Sequence, residues 1–386
     1  MIDHKLKQWA TARQCEIIDA VNTEGSGRKA AIYLGVDKSY VNRSIKAVQK
    51  RAAMAGYSPD HNLTHAVPDG FRLKGASTLY NADGEVTAQW VKSAVDQQRQ
   101  QEIIKETISA FTGEIEPRKP VKSPAVTNQD ILTAYLIGDA HIGMLAWGEE
   151  TGEDFDSAIA SRDILAAADR LIEATPQANE CLVVQLGDFY HADDSSSLTP
   201  GHHNRVDVDS RFPKVIRTGI QVMRGFIDAA LKKHNLVRVR NVAGNHDPHA
   251  YITLNEALKG YYSKEPRVII EDSPKPFYFY RFGTNLIGIT HGHAPKPEKL
   301  PGLLAVSSGE DWGQCEFKYI WHGHIHNKRV FEDLGVLVES FRTLAGKDAW
   351  HVEQGYHSGR EMQAIILHKD FGEVERHTAG IKAVRG

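Results

Sequence analysis

The chain has 386 residues, 41% of them hydrophobic and 25% charged, which suits a soluble globular protein with a sizeable core and, at roughly 150 residues each, two or three domains. A formal net charge of −3 excludes a global attraction to nucleic acid and leaves local basic patches or bound cations to supply one. Three distant cysteines, Cys15, Cys181 and Cys315, form neither a disulfide framework nor a CxxC metal motif, and no apolar run approaches the roughly 20 residues that span a bilayer. MIDHKLKQWATARQ lacks the apolar stretch of a secretory signal, so a cytoplasmic protein without membrane contact is expected.

The predicted elements begin with three short helices. RQCEIIDAVN, GRKAAIYLGV and SYVNRSIKAVQKRAAMAG show helical apolar spacing over about residues 12 to 56, with Val41, Ile45 and Val48 on one face of the third. Small Ala31, Gly35 in the turn and Val41 facing back resemble a helix-turn-helix. That resemblance implies a second helix in a DNA major groove. Lys38, Ser39, Tyr40, Asn42 and Arg43 would face bases or phosphates there, while Lys46, Lys50 and Arg51 would follow the backbone. A three-helix bundle for protein contact, or a solvated basic face, would carry the same residues. STLY and VTAQW, joined through the Asp-Gly turn of NADGE, predict a β-hairpin that could complete a winged arrangement. A polar helix is expected from about Ala94 to Ala110, then an extended linker in EPRKPVKSPAVTN, with Pro117, Pro120 and Pro124. The expected organisation is a helix-turn-helix-like domain with hairpin and helix over 1–112, a linker over 113–129 and a second domain over 130–386.

In that second domain ILTAYLIGD, CLVVQLGD and VRVRNVAGN read as strands, alternating with helical SAIASRDILAAADRLIEAT and a long helix from about Pro213 to Lys233. RVIIE, FYFYRF, NLIGIT, FKYIWHG, KRVFED, GVLVESF and MQAIILH follow as short β segments. The predicted architecture is therefore α/β, two packed sheets flanked by helices. A metal-type residue stands at the end of each central strand: Asp139 and His141, Asp188, Asn245 and His246, His291, then His324 and His326. Open α/β sheets bind ligands at the carboxyl ends of their strands, so these residues are expected to converge. The alternating His and Gly of ITHGH and WHGHIH make a poor core, because a buried imidazole without a partner has unmet polar atoms, whereas neutral imidazole is a good metal ligand.

The blocks GDAHIG, GDFYH, GNHD, THGH and GHIH, in that order, resemble the calcineurin-like metallophosphoesterase superfamily over about residues 130 to 386. The resemblance implies a two-metal phosphoesterase on a β-sandwich, with one carboxylate shared between the ions. Carried over by position, Asp139, His141, Asp188 and His326 would hold one ion and Asp188, Asn245, His291 and His324 the other. His246 matches the family's catalytic histidine, with Asp247 oriented to tune it. Two divalent ions roughly 3.5–4 Å apart would lower the pKa of a bridging water and align an in-line attack, and His246 would protonate the leaving alkoxide. Four positive charges against Asp139 and Asp188 leave about +2 to attract phosphate. The mixed N/O donor set suits Mn, Fe, Co, Ni or Zn, and the family resemblance implies Mn(2+).

DAHIG and GDFYH also resemble the SbcD-type repair nucleases, which implies that His191 sits near the scissile phosphate; a hydrogen bond supporting the ligands is its alternative role. The layout looks like phosphoesterases of tailed bacteriophages, which would place the protein in the host cytoplasm. A DNA nuclease with nucleic acid as its partner is the leading expectation. A small-molecule phosphodiesterase, a phosphomonoesterase or protein phosphatase, and a DNA-binding regulator with an inactive metal domain are the alternatives. A homo-oligomer is compatible with the sequence. Only about 60 residues follow His326, most of them β, which argues against a DNA-capping domain and an SbcC-like ATPase partner. Within HADDSSSLTPGHHNRVDVDSR, His202, His203, Asn204 and Arg205 are candidates for phosphate or base contact, or simply a solvated loop.

Overall fold

A computed structural model of the chain describes residues 2–55, 57–58, 63–64, 71–80, 86–95, 117–355 and 357–386. The chain divides into two compact units, Met1–Thr107 and Ile108–Gly386. Among the described residues no helix is long and apolar enough to cross a membrane.

The first unit contains the helices Ala12–Glu24, Gly27–Tyr33 and Lys38–Met54. Each start is set by a local cap. Thr11 and Gln14 form a capping box, Ser26 accepts from the Lys29 amide and Asp37 from the Ser39 amide. Ile17, Ala31 and Val41 share one small core, and Leu6, Ile18, Val48, Ala52 and Tyr57 another. Gly35 takes φ +64°, a left-handed turn that a glycine adopts without steric cost. Lys38, Ser39, Tyr40, Asn42, Arg43, Lys46 and Lys50 are all exposed on the outer face of the third helix. Strands β1 (Tyr57–Ser58) and β2 (Leu63–Thr64) pair, as do the ten-residue β3 (Phe71–Tyr80) and β4 (Val86–Val95), a hairpin longer than its two β-rich motifs. The Asp-Gly turn, and the expected polar helix beyond Val95, lie outside the described residues.

In the second unit residues 117–127 hold neither helix nor strand, but they are fastened down. The Arg118 amide donates to the Tyr261 carbonyl (2.9 Å), the Val121 amide to the Glu265 carboxylate (2.9 Å), and Arg118 pairs with Asp228. The strands are β5 (Asn128–Ile137), β6 (Ala178–Gln185), β7 (Leu236–Asn241), β8 (Val268–Glu271), β9 (Tyr278–Phe282), β10 (Asn285–Ile289), β11 (Phe317–His322), β12 (Arg329–Asp333), β13 (Val336–Ser340), β14 (Glu361–His368) and β15 (Gly372–Gly380). One sheet has the order β15-β14-β5-β6-β7-β8, with β5 to β8 parallel; the other is β12-β13-β11-β10-β9, with β10, β11 and β13 parallel.

Alternate residues of each strand point to opposite faces, and here both faces are covered. Leu132, Ala134 and Leu136 of β5 and Leu182 and Val184 of β6 meet Ile287, Ile289 and Trp321 of the other sheet in one cluster. Tyr135, Ile137, Val183 and Val239 face the opposite way, onto the helices Ser157–Ala174, Phe212–Ala230 and Ala250–Tyr262. Leu286, Ile320 and Val338 pack on the helix Leu300–Ser307. The result is the expected α/β fold of two packed sheets flanked by helices. Helix Ala250–Tyr262 was not anticipated from its β-branched and aromatic residues; Asp193, distant in sequence, accepts the His249 and Ala250 amides at its start.

Candidate metal centre

The loops that leave β5, β6, β7, β10 and β11 bring their metal-type residues together. The backbone is shaped for it. His141 (φ +44°), Asp188 (+51°), His324 (+72°) and His326 (+52°) are left-handed, four of the seven such non-glycine residues among those described. Each such residue costs on the order of 1–3 kcal/mol, strain that the surrounding contacts must hold. The glycines between them are steric necessities. A Cβ on Gly187 (φ +101°) would lie 2.2 Å from His291 Nδ1, and one on Gly244 would lie 2.0 Å from Asp188 Oδ1.

Three groups of donors result, Asp139 with His141 and His326, Asp188 with His291 and His324, and His141 with His191 and His246, the ligand atoms of each lying within 4.8 Å of one another. His141 Nε2 is 3.1 Å from His326 Nε2, and His326 Nε2 is 3.5 Å from Asp139 Oδ1. His291 Nε2 is 3.2 Å from Asp188 Oδ2 and 3.0 Å from Asn245 Oδ1, so Asn245 joins the second group. Asp139 accepts the His324 amide (2.8 Å) and Asp188 the His246 amide (2.7 Å), which ties each carboxylate to the neighbouring loop.

The donor chemistry fits divalent ions. Asp139 is 0% and Asp188 2% exposed, and among the described residues their ion-pair partners are imidazoles rather than Lys or Arg. Buried carboxylates need positive charge nearby. Burial holds His141 neutral by pushing it well below its usual value, which leaves a lone pair available to a metal. Burial alone would also push His291 down, yet the Asp188 and Asp139 carboxylates outweigh it and raise it from 6.5 to about 10. The two carboxylates thus favour the protonated form of His291. The sign of its pH effect follows: this stabilisation is complete below about pH 6.5 and is lost as pH rises through about 10. Urea midpoints should fall over that window, and the fall should be smaller in His291→Gln; an identical profile in the variant would refute the pairing.

His191 is 2% exposed, its Nδ1 3.1 Å from His141 Nδ1, and its ring stacks on His246 (5.3 Å, 18°). Its Nε2 is buried and has no hydrogen-bond partner among the described residues. His246 Nδ1 lies 2.9 Å from the His191 carbonyl, so that nitrogen carries a hydrogen and donates it. Asp247, expected to tune His246, accepts the Tyr190 and Gly244 amides, both at 3.0 Å, and so braces the loop. Burial and the nearby Asp188 push its pKa to about 8.

His202, His203, Asn204 and Arg205 are exposed around a tight reversal in which Leu198 bridges Arg205. His322 is buried with Nδ1 3.0 Å from the Gly323 carbonyl, while His293 tilts against His291 (5.2 Å). Sequence reasoning missed Asp348 and His351, although an Asp is a common helix N-cap and Asp348 caps here by accepting the His351 amide. His351 lies flat on His326, ring centroids 5.0 Å apart and planes 14° apart.

No family model matches this chain, and no curated protein does. Among solved structures it is similar to a dimetal phosphatase from Danio rerio (12% identity, TM-score 0.36, 65% of this chain and 99% of that one). It is also similar to an archaeal phosphodiesterase (16%, 0.33, 64% and 99%) and to Vps29 complexed with zinc from Entamoeba histolytica (14%, 0.26, 64% and 99%).

Proposed function

We propose that the second unit is a two-metal phosphoesterase of the calcineurin-like superfamily, on its SbcD-like nuclease branch, and that its substrate is a nucleic-acid phosphodiester. The observation that carries the first part is the pair of carboxylate–imidazole groups, Asp139/His141/His326 and Asp188/His291/His324, whose carboxylates are buried. Asp139, His141, Asp188 and His326 would hold one ion and Asp188, Asn245, His291 and His324 the other, with Mn(2+) the ion implied by the family resemblance. When bound, such a pair supplies Lewis-acid polarisation of the phosphate and lowers the pKa of water for in-line attack.

The chain's own residues handle the proton. The His191 carbonyl occupies Nδ1 of His246, so Nε2 is the position that exchanges a proton, and in the imidazolium form it can deliver one to a leaving alkoxide. The bond from the His246 amide to Asp188 keeps this ring in step with the ligands. His191, stacked on His246, packs against the proton donor.

Nucleic acid as the substrate is supported by the exposed Lys38, Arg43, Lys46 and Lys50 on one helix of the first unit. The test is hydrolysis of labelled single-stranded, double-stranded and hairpin DNA by the metal-loaded chain with several divalent ions. Intact DNA alongside hydrolysis of small phosphate esters would replace this reading with a small-molecule or protein phosphatase. Arg43→Ala or Lys46→Ala should each weaken duplex binding and reduce the slope of log K against log salt by about 1 per lost phosphate contact. An unchanged slope in both would remove that helix from the DNA interface.

A further inference from the structure

The loops that carry His141 and His191 away from the centre run side by side, since Ile142 bridges Tyr190 and the His191 amide donates to the Ile142 carbonyl (3.0 Å). Just beyond the two histidines, Gly143 and Ala192 form one wall of a cavity of about 490 Å³. The other walls come from the polar loop after Ala192 and from the first turn of helix Phe212–Ala230. These parts are fastened to one another. A Cβ on Gly143 (φ +102°) would lie 2.7 Å from Val215 Cγ1, the Asp209 amide donates to the Gly143 carbonyl (3.0 Å), and the Leu145 amide donates to the Asp207 carbonyl (3.0 Å).

The lining has two characters. Val208, Phe212 and Val215 are apolar, whereas the side chains of Ser195, Ser197, Ser210 and Arg211 are polar and make no hydrogen bond among the described residues. The two carboxylates at the cavity are occupied, Asp194 by the Ser196 amide and Asp209 by the amide and hydroxyl of Ser157. The volume lies within the roughly 300–1,000 Å³ of pockets that take small organic ligands, and such pockets pair apolar walls with a few polar groups. A nucleoside has both kinds of surface, a flat apolar face on its base and polar edges on base and sugar. The position of the cavity says which part of a substrate reaches it. His246 gives its proton to the leaving oxygen, His191 stacks on His246, and Ala192 follows His191 into the wall. We propose that this cavity is the subsite of the leaving group and that the group it takes is a nucleoside. Water adds across the P–O bond, the nucleoside oxygen departs with the electron pair and the His246 proton, and the freed alcohol is left in the cavity. This rests on the phosphodiesterase reading.

The test reads a product ratio. Thymidine 5′-(methyl phosphate) and its 3′ isomer each offer two alkoxides of similar intrinsic leaving ability in one molecule, the nucleoside and methanol. From at least one isomer the Mn(2+)-loaded full chain should release thymidine and methyl phosphate about tenfold faster than methanol and thymidylate, because the nucleoside's binding energy orients its oxygen for departure. Ser210→Trp and Ser195→Trp fill the cavity from two sides, and they should bring that ratio towards unity. A disturbed metal centre slows both cleavages alike and leaves the ratio where it was. A wild-type ratio near unity for both isomers, or a ratio unchanged in both variants, overturns the subsite. If the wild-type chain cleaves neither isomer, the phosphodiesterase reading has failed; in that case, or for filled variants without activity, saturation-transfer NMR with thymidine decides the cavity. Thymidine carries no phosphate for the metal centre. Binding seen in wild type and lost in at least one filled variant supports the subsite, and no binding in wild type, or binding kept in both variants, overturns it.

Discussion

Asp188→Asn is expected to lower the metal content from two ions per chain towards none and to reduce kcat/KM on the order of 10³-fold, the scale of a single lost electrostatic partner in an active site. Asp188 stands where the two halves of the centre meet. Its Oδ2 is 3.2 Å from His291 Nε2, its Oδ1 accepts the His246 amide, and its own backbone is left-handed. Asparagine keeps the shape and one acceptor oxygen but removes the charge, so the remaining donors offer a single carboxylate against two divalent ions. Elemental analysis of the purified variant measures the first effect, and circular dichroism separates it from unfolding. Two ions retained in Asp188→Asn would mean that this carboxylate is not shared.

His246→Ala should lower kcat by about 10² to 10⁴ while both ions stay bound, since removing a general acid has that typical effect. The loss should depend on the leaving group. An alkoxide needs a proton to depart and a nitrophenolate does not, so a DNA-like diester should suffer far more than a p-nitrophenyl ester. A loss of equal size for both would show that His246 serves some other step. Asp247 is not expected to behave as its partner in this comparison. Asp247 binds the amides of Tyr190 and Gly244, so Asp247→Asn should show its effect first in the stability of the loop after β7.

Much of this was legible in the chain because it depends on neighbours. Apolar runs such as ILTAYLI and CLVVQ mark strands buried on both faces, and caps such as Thr11 and Asp37 mark helix starts, since each signal acts within a few residues. The metal-type residues could be placed at strand ends, where sheet topology gathers them without any contact having to be known in advance. Helix Ala250–Tyr262 and strand β15 (GEVERHTAG) were not legible. The first is capped from across the fold by Asp193, and the second is a polar edge strand held by β14.

By itself, then, the amino-acid sequence determined the α/β class and which donor types stand at the ends of the central strands, consequences of local periodicity and residue chemistry. Only the tertiary structure decided how those donors sort into groups, that Asp247 accepts the Tyr190 and Gly244 amides, and that His351 lies flat on His326. Those outcomes depend on side chains far apart in sequence meeting at distances of 3 to 5 Å, and no pattern within a short window encodes such a meeting.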